Sequence, residues 1–169
     1  MNEQQNMELK FKLNRLVEIW RGFCEMHTSL YEYTCDEYMH LLASEIDELN
    51  DTVQLKLKLL EKINLLDAQR TETTNEILTA LNINDEQKKI SQLLSTLREH
   101  NEVEVAKQIE SMNLILLDII EKIQEQNKKN QVFLNKAIHS LQDLRENFMG
   151  KAKYKTYSSA GTARSSNTL

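Results

Sequence analysis

Two short motifs place metal-ligating side chains one helical turn apart in the first quarter of the chain. Glu37 and His40 have the Glu-x-x-His spacing of di-iron helical bundles. Cys24 and His27 form a comparable pair of candidate zinc ligands. A di-iron site needs a second such motif and two further glutamates, and a zinc site needs a second ligand pair. Neither motif recurs, so we expect no metal centre and no cofactor.

Other catalytic patterns are equally incomplete. The three glycines are scattered and form no phosphate-binding loop. No Ser, Thr or Cys can be paired with a base and an orienting acid. His27 falls in an apolar stripe, where a hydrogen-bonded core or partner-facing histidine is the simplest interpretation, and His40, His100 and His139 are predicted to lie on the surface. We therefore expect a protein that is not an enzyme.

The polar residues that interrupt apolar stripes are more informative. Asn127 and Asn130 lie in the stripe of the last predicted helix, where Ile or Leu would pack better. The apolar steps of three and four continue on both sides without loss of phase, which favours a specific hydrogen-bonding role for the two amides. We predict that the second half of this stripe and its neighbours bind a partner: Ile123, Asn127, Asn130, Leu134, Ala137, Leu141, Leu144 and Phe148.

Three charged residues, Lys56, Asp67 and Arg70, interrupt an earlier stripe in the same way. One interpretation is drift, because an α-helix turns slightly more slowly than a heptad repeat. A second is a polar layer that fixes helix register, and a third is a groove that awaits a partner. This second stripe consists of Leu42, Ile46, Leu49, Val53, Leu60 and Ile63, and Leu59 and Leu66 widen it.

The helices that must carry these residues are long. A first stripe with steps of three and four begins at Leu9, and Gly22 within it is expected to lie on an exposed face. Because no helix breaker follows until 81–85, we predict one continuous helix over 7–80, with a joint near 34–36 as the alternative. The first stripe consists of Leu9, Leu13, Leu16, Trp20, Phe23, His27 and Leu30.

The second half of the chain contains two further predicted helices. Asn84 is a good N-cap for a short helix over 86–99, and a soft break at 100–101 leads into a helix over 102–149. Gly150 fits the position after its end. The fold class is therefore all-α, an elongated antiparallel helical hairpin or bundle with coiled-coil-like packing and a flexible C-terminal tail. Residues 1–150 form the helical domain and 151–169 a disordered basic tail.

Charge and composition limit the classes of partner. Four basic residues and no acid give 151–169 a charge of +4, so the remaining residues carry −9 of the overall −5. An acidic body argues against nucleic acid as a partner. No apolar stretch could span a bilayer, and the polar N-terminus is no signal peptide, so we expect a cytoplasmic protein. Cys24 and Cys35 lie too far apart along one helix to form a disulfide.

Taken together, these segments resemble the FlgN-type flagellar export chaperones. The run from Leu42 to Leu49, followed by Lys56, paired leucines and Arg70, is similar to the body of that family. The sequence Gln126-Asn-Lys-Lys-Asn130 resembles its Asn-x-x-Asn step, and Tyr157-Ser-Ser-Ala-Gly161 resembles its terminal Tyr-x-x-x-Gly. The resemblance covers residues 9–161 and departs from the family at Ser158, where an acid is often found.

The resemblance implies a chaperone whose C-terminal amphipathic helix binds the helical C-terminal segments of hook-filament junction proteins. It also implies that Tyr157 and Gly161 dock on the flagellar export gate, so that the protein reaches the membrane only through the export apparatus. The alternative hypothesis is a structural coiled-coil protein that self-associates, for example as a homodimer, through the same stripe.

Overall fold

The computed structural model describes residues 3–81, 83, 90–149, 156–157 and 163–164. Within these residues the chain forms four helices, α1 (Glu3–Ala43), α2 (Ile46–Ala80), α3 (Ile90–Glu99) and α4 (Val103–Met149), and two short strands, β1 (Thr156–Tyr157) and β2 (Ala163–Arg164). The helical bundle confirms the all-α prediction. The chain divides into two compact units, Met1–Asn130 and Gln131–Leu169, and α4 contributes to both.

The prediction of one continuous helix over 7–80 is wrong, and so is the alternative joint near 34–36. The helix passes through 34–36 and ends at Ala43, where Ser44 takes a left-handed conformation with φ of 59°. The amide of Glu45 then donates to the carbonyl of His40 at 3.0 Å, and that of Ser44 to Leu41 at 3.4 Å. These two bonds form a Schellman motif. Serine occupies the position usually held by glycine, so the joint could not be recognised from the residue type.

α2 runs back along α1, and α4 runs in the same direction as α1. Contacts of Lys12 with Glu76 and of Glu37 with Lys56 show the antiparallel pairing of the first two helices. Contacts of Cys24 with Met112 and of Thr34 with Asn130 show the parallel course of α4. The first unit is therefore an α1–α2 hairpin with the part of α4 up to Asn130 packed along it.

The first stripe forms the core, as predicted. All its members are buried except His27, which is half-buried and whose Nδ1 lies 2.8 Å from the carbonyl of Phe23. The breaks near 81 and at 100–101 are also confirmed, although the predicted N-cap Asn84 lies outside the described residues. The core cluster joins α1 with α2, α3 and α4 through Leu9, Leu13, Leu16, Val17, Ile19, Trp20, Phe23, Ile77, Leu93, Leu94, Leu97, Ala106, Ile109 and Leu116.

Gly22 does not lie on an exposed face, which corrects the expectation from sequence. It is half-buried, and a Cβ atom built on it would lie 3.1 Å from Cδ2 of Leu66. The glycine therefore permits the close approach of α1 and α2. Glycine lowers helix stability by about 1 kcal/mol relative to alanine. At Gly22 this loss occurs at a contact between two helices and not on an exposed surface.

The α3–α4 connection repeats the geometry of the α1–α2 joint. Asn101 has φ of 63°, and the amide of Glu102 donates to the carbonyl of Leu97 at 2.8 Å. Asparagine tolerates this conformation better than most residues. The interruption between the two helices at 100–101 was predicted from the sequence. Beyond α4, Thr156 pairs with Arg164 and Tyr157 with Ala163 in an antiparallel arrangement that the sequence did not predict.

Candidate functional site

A cluster of polar side chains connects α1, α2 and α4 near the joint end of the hairpin. Nζ of Lys56 donates to Oε2 of Glu37 at 2.6 Å, and the two side chains are only 14% and 16% exposed. The same ammonium lies 3.5 Å from Oδ1 of Asn127. Nδ2 of Asn130 donates to the same Glu37 oxygen at 3.2 Å. We call Glu37, Lys56, Asn127 and Asn130 the polar layer.

The amide of Asn130 uses both its donor and its acceptor. Besides Glu37, Nδ2 donates to the main-chain carbonyl of Thr34 at 2.9 Å, and Oδ1 accepts from Nε2 of Gln126 at 3.0 Å. That carbonyl is free for this contact, in addition to its helical bond, because a carbonyl oxygen has two lone pairs. Asn130 is 7% exposed. A buried amide with three partners is fixed in position, which is the requirement for specifying helix register.

The structure separates the interpretations of the charged residues in the second stripe. Lys56 is inside and paired, as a register layer requires. Asp67 is 56% exposed at its side chain, and Arg70 is bonded to it three residues away, which agrees with drift. On α2, Leu59, Ile63 and Leu66 are half-buried, whereas Leu60 and Ile46 are exposed, as is Leu42 at the end of α1. The second stripe therefore contains one member of the polar layer, Lys56, and other residues that lie on the exposed side of the helix.

Sequence reasoning missed Glu37 and Thr34 as members of this site. Glu37 was considered only as a metal ligand with His40. Thr34 was considered as a possible N-cap at the joint near 34–36 and as a step of four from Leu30 towards the second stripe, and that step was the available signal. The carboxylate is the acceptor on which the lysine and the asparagine converge.

The predicted partner-binding residues fall into two groups by exposure. Ile123 is 8% and Asn130 is 7% exposed, and both are buried within the first unit, where Asn127 is exposed. The later residues lie in the second unit. Over 131–148 of that unit no side chain is buried, and the apolar members include Leu134 at 45%, Leu141 at 66%, Leu144 at 53% and Phe148 at 81% exposure, with Ala137 half-buried.

The two residues assigned to gate docking can be placed only in part. Tyr157 belongs to β1 and pairs through its main chain with Ala163. Gly161 and most of the predicted tail lie outside the described residues.

The candidate metal pairs do not come together as sites. His40 is half-buried rather than on the surface, and its Nδ1 lies 2.9 Å from Oε2 of Glu45, across the joint and away from the Glu37 pairing. Cys24 and Cys35 are both free thiols, and Sγ of Cys24 donates to the carbonyl of Met112 at 3.4 Å. Among the described residues, no three His, Cys, Asp or Glu side chains are grouped closely enough to hold a metal ion.

A cleft at the open end of the hairpin is the other polar feature of this unit. Lys12 lies in its wall between Glu8 at 3.0 Å and Glu76 at 3.8 Å, with His100 on another side. The lysine is satisfied by the two carboxylates. This arrangement offers neither a nucleophile nor a base aligned with one.

None of the helices in the described part of the chain is both long and apolar enough to cross a membrane.

No curated protein and no solved structure matches the chain. The model of the FlgN protein family, however, matches residues 7–165. This match spans almost the whole chain, and the protein therefore belongs to the FlgN family and has the general role of a flagellar export chaperone.

Proposed function

We propose that the protein is a cytoplasmic chaperone for hook-filament junction proteins, and that residues 131–149 bind their C-terminal helical segments. One observation carries the choice of surface. From 131 to 148 the helix has no buried side chain although its large apolar residues recur at heptad spacing. An exposed apolar face of this extent favours association with a partner.

The spacing of this face suits a helical partner. Leu134, Ala137, Leu141, Leu144 and Phe148 are separated by steps of three and four, so they lie on one side of the helix. An amphipathic helix that docks there would bury them in the manner of helix-in-groove recognition. Burial of a leucine side chain contributes about 1.5–3 kcal/mol. Burial of a few such residues therefore favours association of the two helices.

Charge contributes little to this face. Lys136 and Arg145 are balanced by Asp143 and Glu146, so residues 131–149 are neutral overall. Selection of the client therefore depends on apolar shape and spacing.

The proposal includes delivery to the export gate through Tyr157 and Gly161. An aromatic side chain with a polar tip is well suited to anchor a short segment in a pocket of another protein. We expect Tyr157→Ala to leave client affinity unchanged and to reduce export of the client. Tyr154→Ala is the matched control, because Tyr154 lies in the same basic segment but outside the Tyr-x-x-x-Gly spacing.

The client surface is tested by replacing two leucines in the full-length chain. In Leu141→Ala/Leu144→Ala the affinity for a synthetic C-terminal helical segment of a hook-filament junction protein, measured by calorimetry, should fall at least about 30-fold. Two lost leucine contacts of about 1 kcal/mol or more each correspond to such a factor. The melting temperature should change little, because Leu141 and Leu144 are 66% and 53% exposed.

α4 offers a closely matched control. Leu114 and Leu117 have the same three-residue separation and are 63% and 54% exposed. Leu114→Ala/Leu117→Ala should bind the segment as the unchanged chain does. Equal loss of affinity in both double variants, or no loss in either, would overturn the assignment of the surface. Self-complexes that bind no segment and dissociate in Leu141→Ala/Leu144→Ala would support the structural coiled-coil alternative.

A further inference from the structure

The heptad repeat of α4 continues past the residue at which its burial ends. Every seventh residue from Ile109 belongs to the same face of the helix. The first four members are at most 8% exposed, whereas Ala137 is half-buried and Leu144 is 53% exposed. The complete set is Ile109, Leu116, Ile123, Asn130, Ala137 and Leu144.

So regular a repeat permits a second register. If α4 moved by one heptad along α1, about 10 Å, each residue would take the place of the one seven positions before it. Leu116 and Ile123 would replace Ile109 and Leu116, so apolar residues would again meet the core. Ala137 would enter the place of Asn130, and part of the stretch 131–149 would be drawn into the body.

Asn130 opposes this movement on two counts. In the shifted register its amide would take the place of Ile123, and it would lose its bonds to the carbonyl of Thr34 and to Glu37. A buried amide without partners is strongly unfavourable. The Glu37–Lys56 pair would face the methyl group of Ala137, which cannot donate a hydrogen bond to the carboxylate.

We propose that Asn130, together with Glu37 and Lys56, is a positioning residue that selects the α4 register in which residues 131–149 remain available to a client. The selection of register rests on the contacts of the first unit alone. Its consequence for binding rests on the proposed function.

Other polar residues of α4 act in the same direction. Asn113 is half-buried and would move to the place of Ala106, which is fully buried, whereas Gln126 and Asn127 would move to the half-buried places of Ile119 and Ile120. Asn130→Leu therefore removes one of the two obstacles at buried places, and Asn113→Ala/Asn130→Leu removes both. The double variant should show the larger population of the shifted register.

The register can be measured by disulfide trapping from Cys24. Its Sγ atom lies 3.4 Å from the carbonyl of residue 112, so Met112→Cys reports the observed register. In the shifted register residue 119 would occupy that place, so Ile119→Cys reports the shift. Both reporters are made in full-length chain with Cys35→Ser. Burial, and then Glu25, raise the pKa of the Cys24 thiol, so oxidation is carried out at alkaline pH to supply thiolate.

With Asn130 present, Cys24 should cross-link to position 112 and not to position 119. In Asn113→Ala/Asn130→Leu, cross-linking to position 119 should appear. In the same variant without reporters, affinity for the hook-filament junction segment should fall in proportion to the remaining competent fraction, about tenfold if one molecule in ten keeps the observed register. Gln124→Leu is the control, because Gln124 is exposed and would move to the place of Leu117, which is also exposed.

If Asn130→Leu and Asn113→Ala/Asn130→Leu both cross-link only to position 112, the inference is overturned, whatever the effect on client binding. Cross-linking to position 119 with unchanged affinity would uphold the register selection and overturn the client surface of the proposed function. A shift equally large in Gln124→Leu would show that Asn130 has no special part in selecting the register.

Discussion

The two ends of the α1–α2 hairpin are held to α4 by different chemistry. At the open end the fully buried residues are apolar apart from Thr73, with Leu13, Leu16 and Ile109 among them. At the joint end the helices meet through the Glu37–Lys56 pair and the amide of Asn130. Apolar contacts are strong but not directional, whereas the polar contacts hold only in one alignment. The first end therefore supplies stability and the second supplies uniqueness.

The largest effect is expected at the apolar end. Leu97 of α3 is 0% exposed, and Leu97→Ala should lower the free energy of unfolding by about 2–5 kcal/mol, since it removes buried methyl groups and leaves a cavity. Urea denaturation measures the change. Leu65→Ala is the control, because Leu65 is 67% exposed and its loss should cost less than about 0.5 kcal/mol. Similar losses for both leucines would refute the placement of the core.

A smaller effect is expected at the polar end. Lys56→Met leaves the carboxylate of Glu37 without its cation in a largely buried place and should lower the free energy of unfolding by about 2 kcal/mol. Adding Glu37→Gln should restore most of the lost stability, because neither position then carries a charge.

Lys122→Met is the matched control for this pair. Lys122 also lies 2.6 Å from a carboxylate, that of Asp118, but these side chains are 54% and 60% exposed. Its loss should leave the free energy of unfolding nearly unchanged, because an exposed ion pair contributes little. A Lys56→Met variant as stable as Lys122→Met would show that the polar layer contributes nothing to the fold.

The smallest effect, and the one of opposite sign, is expected at the joint itself. Ser44→Gly should raise the free energy of unfolding by about 1 kcal/mol, because Ser44 has a left-handed conformation that glycine adopts without steric cost. Thermal melting measures the gain. Ser111→Gly, on the exposed side of α4, should instead lower stability by about 0.5 kcal/mol. If both glycine variants were destabilised, the left-handed geometry of the joint would be wrong.

Much of the fold follows from the periodicity of the sequence. The first stripe, α3, α4 and the breaks at 81 and 100–101 were predictable, because local signals agree with the tertiary structure at these places. The joint at Ser44 was not, since its Schellman motif has no glycine and α2 continues the same composition. Only packing of α2 on α1 distinguishes a turn there from a longer helix.

The candidate site shows the same limit. Asn127 and Asn130 were evident as interruptions of an apolar stripe. The sequence did not show whether Lys56 belongs to a polar layer or reflects drift of the stripe, and Glu37 was missed. Both depend on pairing between helices, which is set by their relative register. That register is a property of the folded body. A polar residue in a stripe can be recognised from sequence, but its partner cannot.

The joint without glycine also affects the order of events in folding. No glycine or proline lies between Glu25 and Gln69, so the unfolded chain has no local preference for a turn at Ser44. Helical turns form within about a microsecond, and we expect them to form before the contacts between α1 and α2. The turn is then expected to form late, during docking of the two helices, and not to nucleate the hairpin.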